Sequence, residues 1–361
     1  MKILFISGNL CDGGAQRVIA VIASELAEKG HDVSLLLFSR NEKEYPISEK
    51  VKITALGKNF EEYSKISEFS RIKKIRKYLK ETKPNVAVGF LEGGYALYLS
   101  SFGLKFKKVA SARINPKSIL AGKGIRAKIN RAWFNHADSI VLQTESQKAL
   151  SPKSWLNRCT VIANPVSETA LAKGKEEYVE SCRSFLMIGR LAQQKNYEMA
   201  LQAIQKVKET YPDIHLDIFG KGGLEETLKE QIKELGLTDN VALCGWTQDS
   251  IGEYRKHDGY LLTSDYEGMP NALMEAMAVG LPCISTNCDT GPSDLIEDGK
   301  SGFLIPVGDV DALAESILKV IKMSSEQRES IGQAARKRMQ ENFNNKVIAE
   351  RWEELFKNLC K

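Results

Sequence analysis

The 361-residue sequence contains no apolar run close to the roughly 20 residues that a membrane-spanning helix requires. The amino-terminal stretch MKILFISGNLCDGG has too short an apolar part for a secretory signal peptide and lacks a small-residue cleavage site. Tandem repeats and low-complexity tracts are missing as well. We therefore expect a globular protein without a membrane span or a leader.

Metal-binding patterns are also missing. The four histidines are scattered, and the seven cysteines show no paired spacing. The Asp-x-Asp motif, Asp309 to Asp311, lies between an apolar strand and an amphipathic helix, where helix capping explains it. We expect no metal and no cofactor, and an odd number of cysteines in mostly apolar surroundings is typical of a reducing cytoplasm.

The dinucleotide-binding fingerprint is absent. Gly8, Gly13 and Gly14 follow the first predicted strand, but Gly8 and the next glycine are five positions apart. The second strand ends in Ser39 and Arg40, where a ribose-binding acid would be expected. This argues against an NAD-dependent oxidoreductase, although the glycines still allow backbone amides to approach a phosphate at a helix amino terminus.

Acidic residues are scarce in the first half of the chain. Residues 1–165 contain 28 Lys and Arg against 14 Asp and Glu, a net charge of +14, whereas the remainder carries −9. The segment RIKKIRKYLKETK, residues 71–83, places Ile72, Ile75 and Leu79 at helical spacing among seven basic residues. The aliphatic stripe fits packing on a sheet, and the basic residues fit an anionic membrane surface. No nucleic-acid-binding motif is present, so we expect the membrane surface.

Short apolar strands alternate with amphipathic helices along the whole chain, a rhythm that predicts βαβ units and parallel sheets. The rhythm stops in SETALAKGKEEYVESCRS, where we place a linker, and then restarts. We predict two α/β domains, residues 1–165 and 166–344, with the helical segment 345–361 added to the first. Ligands of such domains bind at the carboxyl ends of the strands, so a cleft between them is the expected site.

The stretch EGMPNALMEA places Glu267 and Glu275 eight positions apart. Both could lie on one helix face, but Pro270 disfavours a helix interior and is well suited to the first helical position. We predict that the helix begins near Pro270, with Glu267 on the preceding loop and Glu275 one turn inside. The carboxylates would then flank free backbone amides.

The stretch IGRLAQQKN places Arg190 just after a predicted strand and Lys195 near the start of the next helix. Two cations on one βα loop fit a diphosphate, since Arg offers a planar fork and Lys a point charge. Two solvated surface charges explain the spacing equally well. The Gly-rich turn FGKGG, residues 219–223, is interpreted as structural.

In this order and at these separations, GRLAQQKN, EGMPNALMEAMAVGLPCIST and GPSDLIEDGKSGFLIPVGDVDALAESI resemble the retaining nucleotide-sugar glycosyltransferases of family four. The resemblance extends over essentially the whole chain. It implies the GT-B fold, which is α/β, with two Rossmann-like domains facing across a cleft and a carboxyl-terminal helix packed back on the first domain. The GGAQR start and SARINP resemble bacterial members that build lipid-linked polysaccharides.

The resemblance implies roles for individual residues. Glu275 would accept hydrogen bonds from the nucleotide ribose, and Glu267 would hold the donor hexose. Arg190, Lys195 and the amide of Gly14 would hold the diphosphate, which makes Glu267, Arg190 and Lys195 the expected catalytic centre. The turn between the two glutamates would add donor contacts from Gly268, Met269, Pro270, Asn271 and Ala272.

Acceptor or sugar contacts are expected at Arg17, Glu92, Arg113 and Asn115. Many relatives carry a histidine near the sugar where this sequence has Arg113 and Asn115.

The resemblance implies a metal-independent, retaining hexosyltransferase that moves a hexose or N-acetylhexosamine, such as Gal or GalNAc, from a UDP-sugar. The acceptor would be a polyprenyl-diphosphate-linked glycan used for O-antigen or capsule synthesis at the cytoplasmic face of the plasma membrane. A sugar-nucleotide epimerase or another enzyme on the GT-B architecture is the alternative, because a fold does not determine a reaction. An epimerase would need acid and base carboxylates in the first domain, where Glu92 is the candidate.

Overall fold

The computed structural model of the protein describes residues 1–11, 13–90 and 92–361. These residues form two compact units. The first unit contains residues 1–165 and 345–361, and the second contains residues 166–344. None of the helices in the described ranges is long and apolar enough to cross a membrane.

The first unit is built on a parallel sheet. Its strands are β1 (Lys2–Ser7), β2 (Asp32–Ser39), β3 (Lys52–Gly57), β4 (Val86–Phe90), β5 (Lys107–Ser111), β6 (Ser139–Leu142) and β7 (Cys159–Val161). They are ordered β3-β2-β1-β4-β5-β6-β7, which is a doubly wound arrangement. The register aligns Lys2 with Asp32 and Ile3 with Val86 on the two sides of β1. The central strands β1 and β4 are almost fully buried because helices cover both faces of the sheet.

The helices of the first unit connect these strands. They are α1 (Gly14–Glu28), α2 (Phe60–Ser64), α3 (Glu68–Thr82), α4 (Glu92–Ser100), α5 (Pro116–Ala121), α6 (Gly124–His136), α7 (Glu145–Ala149) and α8 (Lys153–Leu156). In α3, the predicted aliphatic stripe packs inward, since Ile75 and Leu79 are buried in the core of this unit. The packing interpretation is therefore confirmed for Ile75 and Leu79, whereas Ile72 is only partly buried.

The second unit repeats the architecture. Its strands are β8 (Ser184–Ile188), β9 (His215–Phe219), β10 (Val241–Gly245), β11 (Gly259–Leu262), β12 (Cys283–Thr286) and β13 (Phe303–Ile305). They pair in parallel in the order β10-β9-β8-β11-β12-β13. Its helices are α9 (Glu168–Ala172), α10 (Tyr197–Lys208), α11 (Glu225–Glu234), α12 (Ser250–Lys256), α13 (Asn271–Val279), α14 (Pro292–Leu295), α15 (Val310–Lys322) and α16 (Ser325–Asn342). The prediction of two Rossmann-like α/β domains is confirmed.

The carboxyl-terminal helix α17 (Asn345–Leu359) belongs to the first unit. Its apolar stripe is buried, with the Trp352 ring stacked on Phe90 at 6.0 Å and the Phe356 ring against Phe5 at 6.5 Å between centroids. Burial of such large side chains contributes roughly 2 to 3 kcal/mol each. The predicted packing of this helix on the first domain is therefore observed.

The segment that the sequence suggested as a linker packs on the second unit. It contains α9, in which Ala170 is buried, and its side chains bind backbone carbonyls of that unit. Lys175 Nζ donates to the His257 carbonyl at 2.7 Å, and Tyr178 donates to the Gly280 carbonyl at 2.6 Å. These contacts are made by polar side chains to distant backbone carbonyls. Such contacts do not require an alternation of apolar and polar residues, so the segment shows no strand pattern.

Candidate functional site: the Lys195–Glu267 pair and the amino terminus of helix α13

Helix α13 begins where Pro270 predicts it. Pro270 occupies the N-cap position and Asn271 is the first helical residue, so Glu267 lies on the preceding loop and Glu275 one turn inside. The N-cap residue, Pro270, makes no side-chain capping hydrogen bond. The first-turn amides of Asn271, Ala272 and Leu273 have no acceptor within their own helix, and such a terminus is suited to bind anionic or hydroxyl-bearing groups.

The turn Glu267–Pro270 is held in place by the loop after β12. The Thr290 hydroxyl donates to the Glu267 carbonyl. Gly291 has a φ of +102°, and a Cβ atom there would lie 2.8 Å from both the Gly268 carbonyl oxygen and Pro270 Cδ. Only glycine allows so close a packing, so this loop fixes the position of the turn.

Lys195 and Glu267 form a direct ion pair at 2.6 Å between Nζ and Oε1. Both side chains are largely buried, with 18% and 9% of their areas exposed. The Ser264 hydroxyl donates to the same carboxylate oxygen at 2.7 Å. Lys195 ends a short 3₁₀ turn, and its backbone carbonyl accepts a hydrogen bond from the Thr263 hydroxyl at 2.8 Å. The structure therefore brings together two predicted site residues that are 72 positions apart in the sequence.

Neighbouring groups that could titrate are held neutral. Burial, reinforced by the charge of Glu267, raises the pKa of Tyr197. The same two causes raise the pKa of the Cys288 thiol to about 11. The Lys195–Glu267 ion pair therefore has two neutral groups beside it, in a mostly buried setting where a charge interacts strongly with a ligand.

Arg190 lies close to this pair but stays exposed. It follows Gly189 at the end of β8, and a Cβ atom on Gly189 would lie 3.3 Å from Lys195 Cε. In the part of the chain that the structure describes, the Arg190 guanidinium has no hydrogen-bond or ion-pair partner. Arg190 is thus available to a ligand beside Lys195.

The FGKGG turn is structural, as interpreted from the sequence. The Leu191 amide donates to the Lys221 carbonyl at 3.0 Å. A Cβ atom on Gly220 would lie 1.8 Å from the Gly189 carbonyl oxygen. This turn therefore supports the loop that carries Arg190.

The predicted first-domain contacts follow the carboxyl ends of the strands. Gly14 is the first residue of α1, where its amide has no acceptor within the helix. Arg17 Nη2 lies 3.4 Å from the Pro165 carbonyl, which it binds. Glu92 is the exposed first residue of α4, and a Cβ atom on Gly8 would lie 3.4 Å from its carboxylate.

Arg113 and Asn115 follow β5 and have different roles. Arg113 Nη1 donates to Asn164 Oδ1 at 2.6 Å, and its guanidinium lies 4.6 Å above the Phe90 ring. Burial lowers the pKa of Arg113 to about 9. Asn115 caps helix α5, since its Oδ1 accepts from the Lys117 amide at 2.9 Å. The expected contact of Asn115 with a sugar or acceptor stays a prediction.

Metal-binding clusters are not found. Across residues 1–11, 13–90 and 92–361, no group of three or more His, Cys, Asp and Glu side chains is arranged to hold a metal ion. Asp309 caps helix α15 by accepting from the Ala312 amide at 2.9 Å, as predicted, and Asp311 pairs with Lys206.

Comparison with known proteins identifies the family. Residues 171–338 match the family described as glycosyl transferases group 1. A relative from Campylobacter jejuni subsp. jejuni is 30% identical over 360 residues, which are 98% of this chain and 97% of the relative. The chain belongs to the group 1 glycosyl transferases.

The Campylobacter relative is named GalNAc-alpha-(1->4)-GalNAc-alpha-(1->3)-diNAcBac-PP-undecaprenol alpha-1,4-N-acetyl-D-galactosaminyltransferase. The chain described here is also 31% identical to an uncharacterized glycosyltransferase of Haemophilus influenzae, over 84% of this chain and 86% of that relative. A crystal structure of Anabaena Alr3699/HepE in complex with UDP and glucose superposes with a TM-score of 0.80 and 17% identity, over 99% of this chain and 100% of the other. That similarity shows that the glycosyltransferase has the GT-B fold.

Several supporting residues of the glycosyltransferase were not predicted from its sequence. Ser264 binds Glu267, Thr263 holds the backbone at Lys195, and Thr290 with Gly291 braces the turn. Ser264 lies three positions before Glu267 at the end of β11, a local spacing that could have suggested it. Thr263 and Thr290 act on backbone atoms of distant loops, which no sequence pattern reveals.

Proposed function

We propose that this group 1 glycosyltransferase moves a hexose or N-acetylhexosamine, GalNAc or Gal, from a UDP-sugar to a polyprenyl-diphosphate-linked glycan, with retention of configuration. The UDP in the Anabaena structure supports the nucleotide, and the name of the Campylobacter relative supports the lipid-linked acceptor and the N-acetylhexosamine. The product would be an intermediate of a cell-surface polysaccharide.

The Lys195–Glu267 pair close to the amino terminus of α13 carries this proposal. In this proposal the Lys195 ammonium leaves Glu267 and binds the donor diphosphate, and Arg190 binds the same group. The released Glu267 carboxylate then accepts hydrogen bonds from hexose hydroxyls, together with the amides of the turn from Gly268 to Ala272. Glu275 accepts hydrogen bonds from the ribose.

In the proposed transfer step, the leaving diphosphate is the base that takes the proton of the acceptor hydroxyl. The acceptor hydroxyl oxygen bonds to sugar C1 while the bond between C1 and the phosphate oxygen breaks, and UDP leaves with that electron pair. The hydroxyl proton passes to the departing phosphate oxygen, and attack on the same face retains configuration. In this step Glu267 positions the hexose, and the acceptor hydroxyl oxygen, not Glu267, attacks C1.

Charge on the leaving group is stabilised by the protein in this proposal. Arg190 and Lys195 supply two positive charges, and the α13 amides supply oriented dipoles. Groups of this kind, fixed before the reaction, stabilise charge that develops in a transition state. We therefore propose that the enzyme works without a metal ion and without a cofactor.

The proposed location is the cytoplasmic face of the plasma membrane, to which the basic first unit binds peripherally. The charge difference between the halves of the chain, +14 against −9, supports this location.

A panel of nucleotide sugars tests the reaction class. The purified enzyme is incubated with UDP-, GDP- and TDP-hexoses, with and without a membrane extract, and both nucleotide release and labelled lipid-linked product are measured. We expect UDP release that rises when the extract is added. Conversion of a nucleotide sugar into its epimer without UDP release would favour the epimerase instead.

A further inference from the structure

The first unit carries an open groove at the carboxyl edge of its sheet. Two adjoining cavities, of about 230 Å³ and 450 Å³, share Glu92, Tyr95 and Arg126 among their lining residues. The apolar side of the smaller cavity is formed by Phe38, Ile72, Ile75, Ala96 and Ile125. Ligands of parallel α/β sheets bind at this edge, so the groove is placed where a substrate would be expected.

The polar side of the groove presents side-chain donors and acceptors that have no hydrogen-bond partner among the described residues, on Glu92, Lys123, Arg126 and Asn130. Arg126 lies over the Tyr95 ring, 5.5 Å from its centroid, and within the described ranges its guanidinium has no hydrogen-bond partner. The exposed Glu92 carboxylate accepts no hydrogen bond from the described residues either. The Tyr95 hydroxyl is oriented by its hydrogen bond to Glu68.

The other arginine of the groove has a structural role. Arg71 donates to the Tyr63 and Ser64 carbonyls at 3.0 and 3.3 Å, and its guanidinium covers the Tyr63 ring at 4.0 Å. The opposite face of the Tyr63 ring is stacked on Phe38, with 5.3 Å between centroids. These three side chains form a fixed wall, which leaves Glu92, Arg126, Lys123 and Asn130 as the polar groups available for recognition.

The charges of the groove nearly balance, although the surrounding unit is strongly basic. Arg71, Lys123 and Arg126 face two carboxylates, Glu68 and Glu92. A phosphate would meet both carboxylates at close range, whereas a neutral ligand meets donors and acceptors in similar number. An apolar wall with a few placed polar groups is the usual composition of a small-molecule site.

We propose that this groove binds a neutral pyranose ring of the acceptor glycan. The CH face of the sugar packs on the apolar side, at Ile72, Ala96 and Ile125, and its hydroxyls donate to Glu92 and accept from Arg126. The proposal rests on the glycosyltransferase function proposed above and assigns an acceptor subsite to residues of α3, α4 and α6.

Saturation-transfer NMR tests the subsite directly. The probes are methyl α- and β-glycosides of galactose, glucose, N-acetylgalactosamine and N-acetylglucosamine, without any nucleotide sugar. We expect at least one glycoside to bind the wild-type enzyme. Ala96→Trp, which fills the groove, should abolish binding, and Arg126→Ala should weaken it about ten-fold or more, because a charge-assisted hydrogen bond is lost.

Lys128→Ala is the matched control, since Lys128 is exposed on α6 and does not line either cavity. It should leave glycoside binding unchanged. Arg126 is itself exposed, so Arg126→Ala remains informative if Ala96→Trp lowers the unfolding midpoint. UDP affinity, measured by calorimetry, should stay the same in all three variants because none of the three positions is among the expected donor-binding residues.

Three results would overturn the subsite: no glycoside binds the wild-type enzyme, Arg126→Ala binds as well as wild type, or inorganic phosphate displaces the glycoside. Signals from the prenyl alcohol geraniol that Ala96→Trp removes, with none from any glycoside, would show that the groove holds a lipid chain instead. Failure of the proposed function is distinct, because it would appear as the absence of UDP release from every nucleotide sugar.

Discussion

The ion pair between Lys195 and Glu267 determines how the donor site responds to single substitutions. Both side chains are mostly buried, and Glu267 has a second partner in Ser264. Removing one member of such a pair leaves the other charge buried without compensation, which destabilises a protein by several kcal/mol. Substitution of Arg190 should not destabilise the fold in this way, because Arg190 is exposed and its side chain has no partner among the described residues.

The cations at Arg190 and Lys195 give the first prediction. Arg190→Ala should lower kcat/KM about a hundred-fold without changing the unfolding midpoint, since a contact to a leaving group matters most in the transition state. Lys195→Ala should lower both kcat/KM and the midpoint. Steady-state kinetics and thermal unfolding measure these effects, with Lys233→Ala on exposed α11 as the control. Wild-type kinetics in Arg190→Ala would mean that Arg190 is only a solvated surface charge.

The two glutamates give the second prediction. If Glu275 binds the ribose, Glu275→Gln should weaken UDP binding about ten-fold, because a neutral amide is a weaker acceptor than a carboxylate. If Glu267 contacts the hexose only, Glu267→Gln should lower turnover while UDP affinity stays within about two-fold of wild type. Calorimetric titration with UDP separates the two, and equal losses of UDP affinity in both variants would contradict this division of roles.

Some residue positions could be predicted and others could not. The helix start at Pro270 follows from the fixed φ of proline, and both glutamates fell where that start put them. The capping of α5 by the Asn115 side chain was not predicted, although an Asn directly before a Pro that begins a helix is a local capping signal. Arg76 was expected to be one of the basic residues facing a membrane. Its guanidinium instead donates to the Ser100 and Phe102 carbonyls at the carboxyl-terminal end of α4.

At the scale of secondary-structure elements, helix α4 shows why a helix cannot always be predicted from its local sequence pattern. Its sequence EGGYALYLS begins with two glycines next to the first residue, and glycine disfavours helices by about 1 kcal/mol relative to alanine. The fold needs them: a Cβ atom on Gly93 would lie 2.0 Å from the Ile6 carbonyl oxygen, and one on Gly94 2.5 Å from Trp133 Nε1. The helix forms because it packs against β1 and α6, and tertiary contact of this kind leaves no helical signal in the sequence.

Helix α17 is attached to the first unit by a polar network as well as its apolar stripe. Glu353 accepts hydrogen bonds from Lys357 at 2.6 Å, from His31 at 3.0 Å and from Lys29 at 3.4 Å. The bond from Lys357, supported by those from His31 and Lys29 and opposed by partial burial, lowers the pKa of Glu353 to about 2. The ionised carboxylate is therefore the form that holds α17 in place.

This network gives the third prediction. Because the folded pKa of Glu353 is below its unfolded value near 4.3, its contribution to stability is complete above about pH 5 and declines as the pH falls toward 2. Glu353→Gln should lower the free energy of unfolding at neutral pH by about 1 to 2 kcal/mol, a range that allows for the exposure of Lys357 to solvent. That loss should shrink by about half near pH 3.

Urea unfolding between neutral pH and pH 3 measures this loss for wild type and variant. Glu350→Gln is the control, since Glu350 is 63% exposed and bonds only loosely to Lys29, at 3.4 Å. A difference between wild type and Glu353→Gln that does not change with pH would mean that packing, and not the charge of Glu353, accounts for the loss.

At the scale of the whole molecule, the charge difference between the halves supports binding to an anionic surface. The basic residues of the segment 71–83 fall into two groups. Arg71 and Arg76 bind backbone carbonyls, whereas the five lysines are exposed and could meet a membrane: Lys73, Lys74, Lys77, Lys80 and Lys83. Each contributes about 1 kcal/mol near an anionic leaflet, and salt screens the contribution.

Vesicle binding is the fourth prediction. Co-sedimentation should rise with the fraction of phosphatidylglycerol and fall with salt, and the triple variant Lys73→Glu, Lys74→Glu, Lys77→Glu should lose it. UDP affinity should not change, because the three lysines are exposed on α3 and none of them is an expected donor-binding residue.

Three charge reversals on the second unit, at the exposed residues Lys233, Lys322 and Lys337, are the control and should leave sedimentation near wild type. Equal sedimentation with neutral and anionic vesicles, or an unchanged α3 variant, would contradict membrane binding through α3.

The most direct measurement of the central claim is sugar transfer from a UDP-hexose to lipid-linked acceptors of a membrane extract in excess EDTA. The donor site proposed here relies on Arg190, Lys195 and the α13 amides to stabilise the leaving diphosphate. Transfer should therefore continue in EDTA at a rate close to that without it, and it should fall sharply in Arg190→Ala under both conditions. Transfer that EDTA abolishes and Mn²⁺ restores would contradict this account.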